Sequence, residues 1–262
     1  NRLVHTAVTP GGRSPQPIPN RIAVFWIRRA AARQKQGHQM DKFSWSDSPN
    51  QTAFPVAKPG YPFIFASAFA TAVFALLGLT ALALIGMIAT FFIVYFFRDP
   101  DRVTPDTRGV LTSPADGKIV KIETIDSHTY YDGACRKISI FMSVFNVHVN
   151  RVPCTGIVKQ ISYHPGKFFS ANLDKASSDN ERNAVFLETE SGARVTFVQI
   201  AGLVARRIIC GLQAGHSVVR GQRFGMICFG SRLDVYIPPD SEIKVTKGDR
   251  VKAGISVLGV LK

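Results

Sequence analysis

A chain of 262 residues with a formal net charge of +14 has room for one generous domain, or for a smaller domain with an anchor, and is drawn to something acidic. Nucleic acid and an anionic membrane surface are the usual candidates, and charge alone does not separate them. The pattern of potential ligands argues against a metal: Cys135, Cys154, Cys210 and Cys228 stand far apart with no CxxC pair, and no HxH, HxxxH or HExxH occurs. With so few cysteines for the length, they read as reduced thiols on the cytoplasmic side.

Residues 1–57 are rich in Pro, Arg, Gln and Ser and show no sustained apolar period, so they read as a disordered leader. Met40 offers a start just ahead of the apolar run, and on that reading residues 1–39 are an upstream translation artefact. From Tyr61 to Phe97 there is no charged residue, and the run exceeds the roughly 20 residues that one membrane span needs. A signal peptide does not fit, because its apolar region is about 7–15 residues and sits at the start of a chain. Both flanks are basic, with Lys42 and Lys58 before the run and Arg98, Arg102 and Arg108 after it. Positive charge stays on the cytoplasmic side, so residues 58–97 are expected to form a membrane anchor of one or two helices. Two short spans suit both flanks, with Gly78 and Gly86 easing the bend or the close packing. An uncharged segment of double length sets the nucleic-acid reading aside.

After Arg98 the chain turns to short β-branched stretches punctuated by Gly, Pro, Asp and Asn, which predicts a mainly β domain over residues 98–262. The candidate strands are GKIVKIETI, RKISIFM, GIVKQISYH, AVFLETE, ARVTFVQI, RRIICGL, FGMICFG, RLDVYIP and SEIKVT. Their moderate alternation favours a barrel or paired-sheet core, rich in hairpins, over a doubly wound parallel sheet. Turns are expected at Lys247-Gly248-Asp249 and Ala253-Gly254. Neither GxGxxG nor GxxxxGK[ST] occurs, which argues against a kinase or dehydrogenase.

Three places carry residues able to do chemistry. Gly230-Ser231 lies between two strand-like runs, and taken alone such a pair is a turn. His148, in NVHVNR, taken alone is a hydrogen-bonded core histidine. Asp116, in SPADGK, opens an Asp-Gly pair that by itself builds a hairpin. The longer segments around them change these readings. RGQRFGMICFGSRLDVYIP (220–238) resembles the processing region of phosphatidylserine decarboxylases of the short, single-domain type. FRDPDRVTPD with SPADGKIV, FNVHVNRVPCTG and YHPGKFFSANLDKASSDNERN resemble further segments of that family, in the same order, and the likeness covers roughly residues 60–262.

The resemblance implies a proenzyme that makes its own cofactor. Ser231 would attack the Gly230 carbonyl, the ester would undergo β-elimination, and dehydroalanine would hydrolyse to a covalent pyruvoyl group with release of ammonia. The chain would thereby divide into a large chain (1–230) and a small chain (231–262). The pyruvoyl ketone would take the amine of a serine headgroup as a Schiff base and accept the electron pair left by CO₂. Glycine suits position 230, since the missing Cβ permits strained angles and leaves the carbonyl open to attack. By the same resemblance His148 would transfer protons and Asp116 would be the orienting carboxylate. His164, Glu181, Arg182 and Asn183 would contact the headgroup. One branch of the family has a second histidine where this chain has Arg151, so the division between cleavage and proton return is open.

The expected partners are an anionic phospholipid in a cell membrane and the two chains of the same proenzyme, with no nucleic acid; a homo-oligomer is left open. Two rival readings differ in outcome. A membrane-anchored β adaptor without catalysis predicts one intact chain. A decarboxylase of another serine-headed lipid predicts the same cleavage with a different substrate.

Overall fold

The computed structural model describes residues 55–168, 179–203, 207–228 and 230–262. The chain divides between Gln39 and Met40, and all described residues belong to the second unit. Most of the expected leader, including residues 1–39, lies outside the described residues. Its last three residues are structured: Val56 bridges Arg98, the Ala57 amide donates to the Phe97 carbonyl at 2.8 Å, and Ala57 is buried.

The apolar run forms two helices, α1 (Tyr61–Leu76) and α2 (Thr80–Phe96), after a single 3₁₀ turn at Lys58–Gly60. They are joined at Leu77-Gly78-Leu79, where Gly78 takes φ +73°, a conformation cheap only for glycine. Polar side chains link the helices: Ser67 Oγ lies 2.8 Å from Thr90 Oγ1, and Thr71 Oγ1 lies 3.4 Å from the same atom. A Cβ on Gly86 would come within 2.6 Å of Thr71 Oγ1, so close approach there requires a residue without one. The helix from Lys58 to Leu76 is long and apolar enough to cross a membrane, whereas Thr80–Phe96 is shorter.

The remainder is mainly β, as the alternation predicted. A curled eight-stranded antiparallel sheet runs in the order β13 (Arg250–Val251), β2 (Gly117–Ile125), β3 (Cys135–Met142), β11 (Ser231–Ile237), β7 (Arg194–Ala201), β6 (Arg182–Glu188), β5 (Gly156–His164) and β9 (Ser217–Val218). Two three-stranded sheets accompany it. One is ordered β1 (Val110–Thr112), β14 (Val257–Val260), β12 (Glu242–Ile243); the other is β4 (Val149–Arg151), β10 (Arg223–Ile227), β8 (Ile208–Cys210).

Strand alternation sorts the large sheet's faces. Ile138, Ile140, Met142, Val185, Leu187, Val195, Phe197, Leu233 and Val235 point inward and meet Leu111, Phe224 and Leu258 from the small sheets in one apolar core. The opposite face carries Arg232, Asp234, Lys137 and Ser139, all buried, with Arg232 Nε 2.6 Å from Asp234 Oδ1 and Lys137 Nζ 3.3 Å from Asp234 Oδ2. β11 is held on both sides along its length, by β3 and by β7. Its first residue, Ser231, lies on the inward face opposite Met142 and Ala201.

Candidate active site

Ser231 is fully buried. Its Oγ donates to Met142 Sδ at 3.3 Å, a weak acceptor, and Asn150 Nδ2 approaches the same sulfur at 3.8 Å. From there a polar chain runs inward. Gln199 Nε2 donates to Asn150 Oδ1 at 2.9 Å and Asn183 Nδ2 to Gln199 Oε1 at 3.2 Å; all three amides are buried. Asn180 Nδ2 holds the carbonyl of Ala201, the residue paired with Ser231, at 2.7 Å. Gly230, just before the strand, has φ +60°, and nothing within 4 Å of where a Cβ would be.

His148 precedes β4 and lies two residues before Asn150. It is fully buried, and its ring centroid is 4.2 Å from that of Phe96, the last residue of α2. Nδ1 is 2.9 Å from the Asn146 carbonyl. A carbonyl only accepts, so Nδ1 carries the hydrogen and the neutral ring keeps its lone pair on Nε2. That atom is buried and without a hydrogen-bond partner. Burial lowers the pKa from 6.5 to about 4, against the opposing effect of the Asn146 hydrogen bond; Arg98 lowers it further and Asp116 raises it. The imidazole is therefore neutral at physiological pH, with the lone pair of Nε2 free. Its neighbours Val147 and Val149 pack in one cluster with Cys228, two residues before Gly230. The Ser231 hydroxyl itself is directed to Met142 and not to the imidazole.

The other expected residues separate. Asp116 does not orient His148 through a hydrogen bond. Its carboxylate takes both terminal nitrogens of Arg102, at 2.6 and 2.8 Å, and the Ala253 amide at 2.7 Å, so it reaches the histidine only through its charge. Both partners are nearly buried. Removing one member of such a pair strands the other charge, so Asp116→Ala is expected to cost about 3–5 kcal/mol. Arg102→Met combined with Asp116→Leu should recover most of that loss in denaturant melts. A role confined to catalysis would leave the melts of all three proteins alike.

Of the four expected headgroup contacts, only Asn183 joins the surroundings of Ser231. Successive strand residues face opposite ways, so Arg182 and its cross-strand partner His164 belong to the outer face. There Arg182 Nε donates to Tyr130 OH, and His164 Nε2 lies 2.9 Å from Ser162 Oγ. Glu181 adjoins the exposed Tyr163. Arg151, where one family branch has histidine, is a buried clasp: it donates to the Gly221 carbonyl at 3.0 Å and the Pro100 carbonyl at 2.9 Å. Burial pulls its guanidinium pKa down to about 10, which leaves it charged. Met142, Asn150 and Gln199 were missed by sequence reasoning. Gln199, a lone amide inside the apolar run TFVQI, and Asn150, two positions from His148 in the strand-like run NVHVNR, carried the usable signal.

All four cysteines are free, and among the described residues no group of three or more His, Cys, Asp or Glu side chains is placed to hold a metal.

The family model for phosphatidylserine decarboxylase matches residues 89–259. A phosphatidylserine decarboxylase proenzyme of Desulfotalea psychrophila is 49% identical over 209 residues, covering 80% of this chain and 98% of that one. The proenzyme of Syntrophus aciditrophicus is 51% identical, covering 78% and 96%. That of Solidesulfovibrio magneticus is 52% identical, covering 78% and 94%. The match runs from the second helix to the last strand, through the buried serine, its amide chain and the neutral histidine, and on it the chain belongs to the phosphatidylserine decarboxylase family.

Proposed function

We propose that this chain cleaves its own Gly230–Ser231 bond, carries a pyruvoyl group at residue 231, and decarboxylates phosphatidylserine to phosphatidylethanolamine at a membrane surface. The observation that carries the reading is a fully buried serine, directly after a glycine at φ +60°, with a neutral histidine in the adjoining cluster whose Nε2 is buried and unpartnered.

Each part has a physical role. The left-handed turn at Gly230 presents the scissile carbonyl without a side chain in the path of attack. Among the described residues the Ser231 hydroxyl is tied only to a thioether, so little is lost when it turns towards that carbonyl. His148 is the base for its proton, already neutral and holding its lone pair on Nε2.

The residues around position 231 fit a ketone as well as they fit a hydroxyl. Asn150 Nδ2 spends its donor on a distant sulfur, leaving an amide N–H for an oxygen at 231, while Gln199 and Asn183 lock the Asn150 carboxamide in place. When formed, the pyruvoyl group supplies an electron sink for the pair released with CO₂. Pairing of β11 with β3 and β7 keeps the new terminus in register. His148 then holds or returns the proton at the reacting carbon.

The helical hairpin supports a membrane location. Phe65, Phe69, Leu76, Ile88 and Phe91 are all largely exposed, a pattern costly in water and natural in hydrocarbon. With the hairpin in the bilayer and both its ends at one surface, the β domain stays beside a headgroup that never leaves the membrane. Basic residues at that surface enrich the anionic substrate over the zwitterionic product. The basic residues flanking the hairpin support a cytoplasmic side for the β domain, since positive charge is retained there.

The test uses purified full-length protein in vesicles containing phosphatidylserine labelled in the headgroup carboxyl. Labelled CO₂ should be released, and prior treatment with hydroxylamine should stop it by consuming the ketone. Release that survives hydroxylamine would remove the pyruvoyl group from the reading, and no release would remove the activity.

A further inference from the structure

The join between α2 and the β domain carries more than a tether needs. Phe96, fully buried, lies with its ring against the His148 imidazole at 4.2 Å between centroids, tilted by 33°. A second connection leaves the same helix end. Tyr95 OH donates to the Phe145 carbonyl at 3.3 Å, and Arg98 Nη2 to the same oxygen at 2.7 Å. Arg98 is itself held by the Tyr95 carbonyl at 2.7 Å, with its guanidinium 3.8 Å above the Tyr95 ring. Phe145 sits in the turn between β3 and β4, which Asn146 closes through its side chain on the Ser143 amide and hydroxyl at 2.9 and 2.8 Å. The carbonyl of that same Asn146 accepts the hydrogen from His148 Nδ1. The helix end thus fixes the imidazole twice, by its face through Phe96 and by its tautomer through the clamped turn.

We infer that the end of α2 is part of the catalytic site, with Phe96 as the positioning residue that seats His148 and keeps water from its ring. The anchor then does two jobs: it keeps the enzyme at the bilayer, and it completes the surroundings of the base. A tether alone would need no ring on the histidine and no clamp on the turn before it. The inference rests on the assignment of His148 to the chemistry.

The surroundings of the imidazole make its titration a usable readout. Desolvation dominates, the Asn146 carbonyl opposes it, and Arg98 and Asp116 act at longer range. Truncating Phe96 admits water and leaves the other three in place, so the imidazole should protonate more readily.

The test compares Phe96→Ala with Phe97→Ala in full-length protein in detergent micelles. Phe97 is also buried at the same join, 5.0 Å from Phe96 and stacked on Phe63 at 5.5 Å, so its truncation is a matched packing loss. Histidine Cε1 NMR gives the His148 titration, assigned by loss of its signal in His148→Gln. Kinetics on dispersed short-chain phosphatidylserine remove the need for a bilayer. Phe96→Ala should raise the His148 midpoint by one pH unit or more, a tenfold gain in proton affinity, and lower kcat at least tenfold with KM unchanged. Phe97→Ala should do neither. If Phe96→Ala does not accumulate folded, Phe96→Leu should show a smaller shift in the same direction and a reduced kcat. A Phe96 variant with parental midpoint and kcat, or equal changes in Phe97→Ala, overturns the inference. Full activity in His148→Gln would instead overturn the role of the histidine, and the midpoints would still report whether Phe96 seats the ring.

Discussion

Replacing Ser231 with alanine should leave one intact, folded and inactive chain where the parent protein yields two, residues 1–230 and 231–262. The hydroxyl is the only nucleophile the proposed cleavage uses, and its removal also removes the source of the ketone. The fold should barely respond. Among the described residues the hydroxyl makes one hydrogen bond, 3.3 Å to a thioether, and the backbone of residue 231 stays paired with Met142 and Ala201. Loss of so weak a hydrogen bond costs at most about 1 kcal/mol. Intact mass spectrometry should show two chains for the parent, the smaller blocked to Edman sequencing, and one chain for the variant. Circular dichroism should match between them, and CO₂ release by the variant should fall to background. An active Ser231→Ala protein, or a parent that stays whole while active, would sink the mechanism at its first step.

Much of the β domain was legible because its longer strands carry their own boundaries. GKIVKIETI and GIVKQISYH are β2 and β5 from end to end, each opened by a glycine; the second ends at His164-Pro165, where proline's missing N–H stops a ladder. The short strands were not legible. Val149–Arg151, Ser217–Val218 and Arg250–Val251 hold two or three residues each, too few to display a period of two. The sheet order was equally hidden. β11 lies between β3 and β7, and such distant pairings depend on which apolar faces meet and not on local pattern.

The candidate site divides in the same way. Ser231 and His148 could be found from the segments around them, but their immediate partners could not. Met142 reads as an ordinary core residue in a strand, and only its register opposite Ser231 brings its sulfur to the hydroxyl. Asp116 was expected beside the histidine, yet Arg102, fourteen residues earlier, takes both its oxygens. Arg182 and Asn183 are neighbours in sequence that the pleat sends to opposite faces, so only one of them nears the site.

His148 should reveal itself through both activity and acid stability. Its Nε2 is buried and unpartnered, its neighbours Val147 and Val149 cluster with Cys228, two residues before Gly230, and positioned proton transfer contributes typically about 10²–10⁴-fold. His148→Ala should therefore slow self-cleavage, decarboxylation or both by at least about 10²-fold, read by mass spectrometry and CO₂ release. The acid response follows from burial. The folded imidazole titrates at about 4, below its ordinary 6.5, so between these values the unfolded chain binds a proton that the folded chain refuses. Stability is complete above pH 6.5 and falls as the pH drops through this window, by roughly 3 kcal/mol at the limit. His148→Gln, neutral at every pH, should flatten that part of the acid slope in denaturant melts between pH 4 and pH 8. If the parent and the glutamine variant lose stability in parallel across the window, the imidazole has the same proton affinity in the folded and unfolded chain, and burial does not hold it neutral.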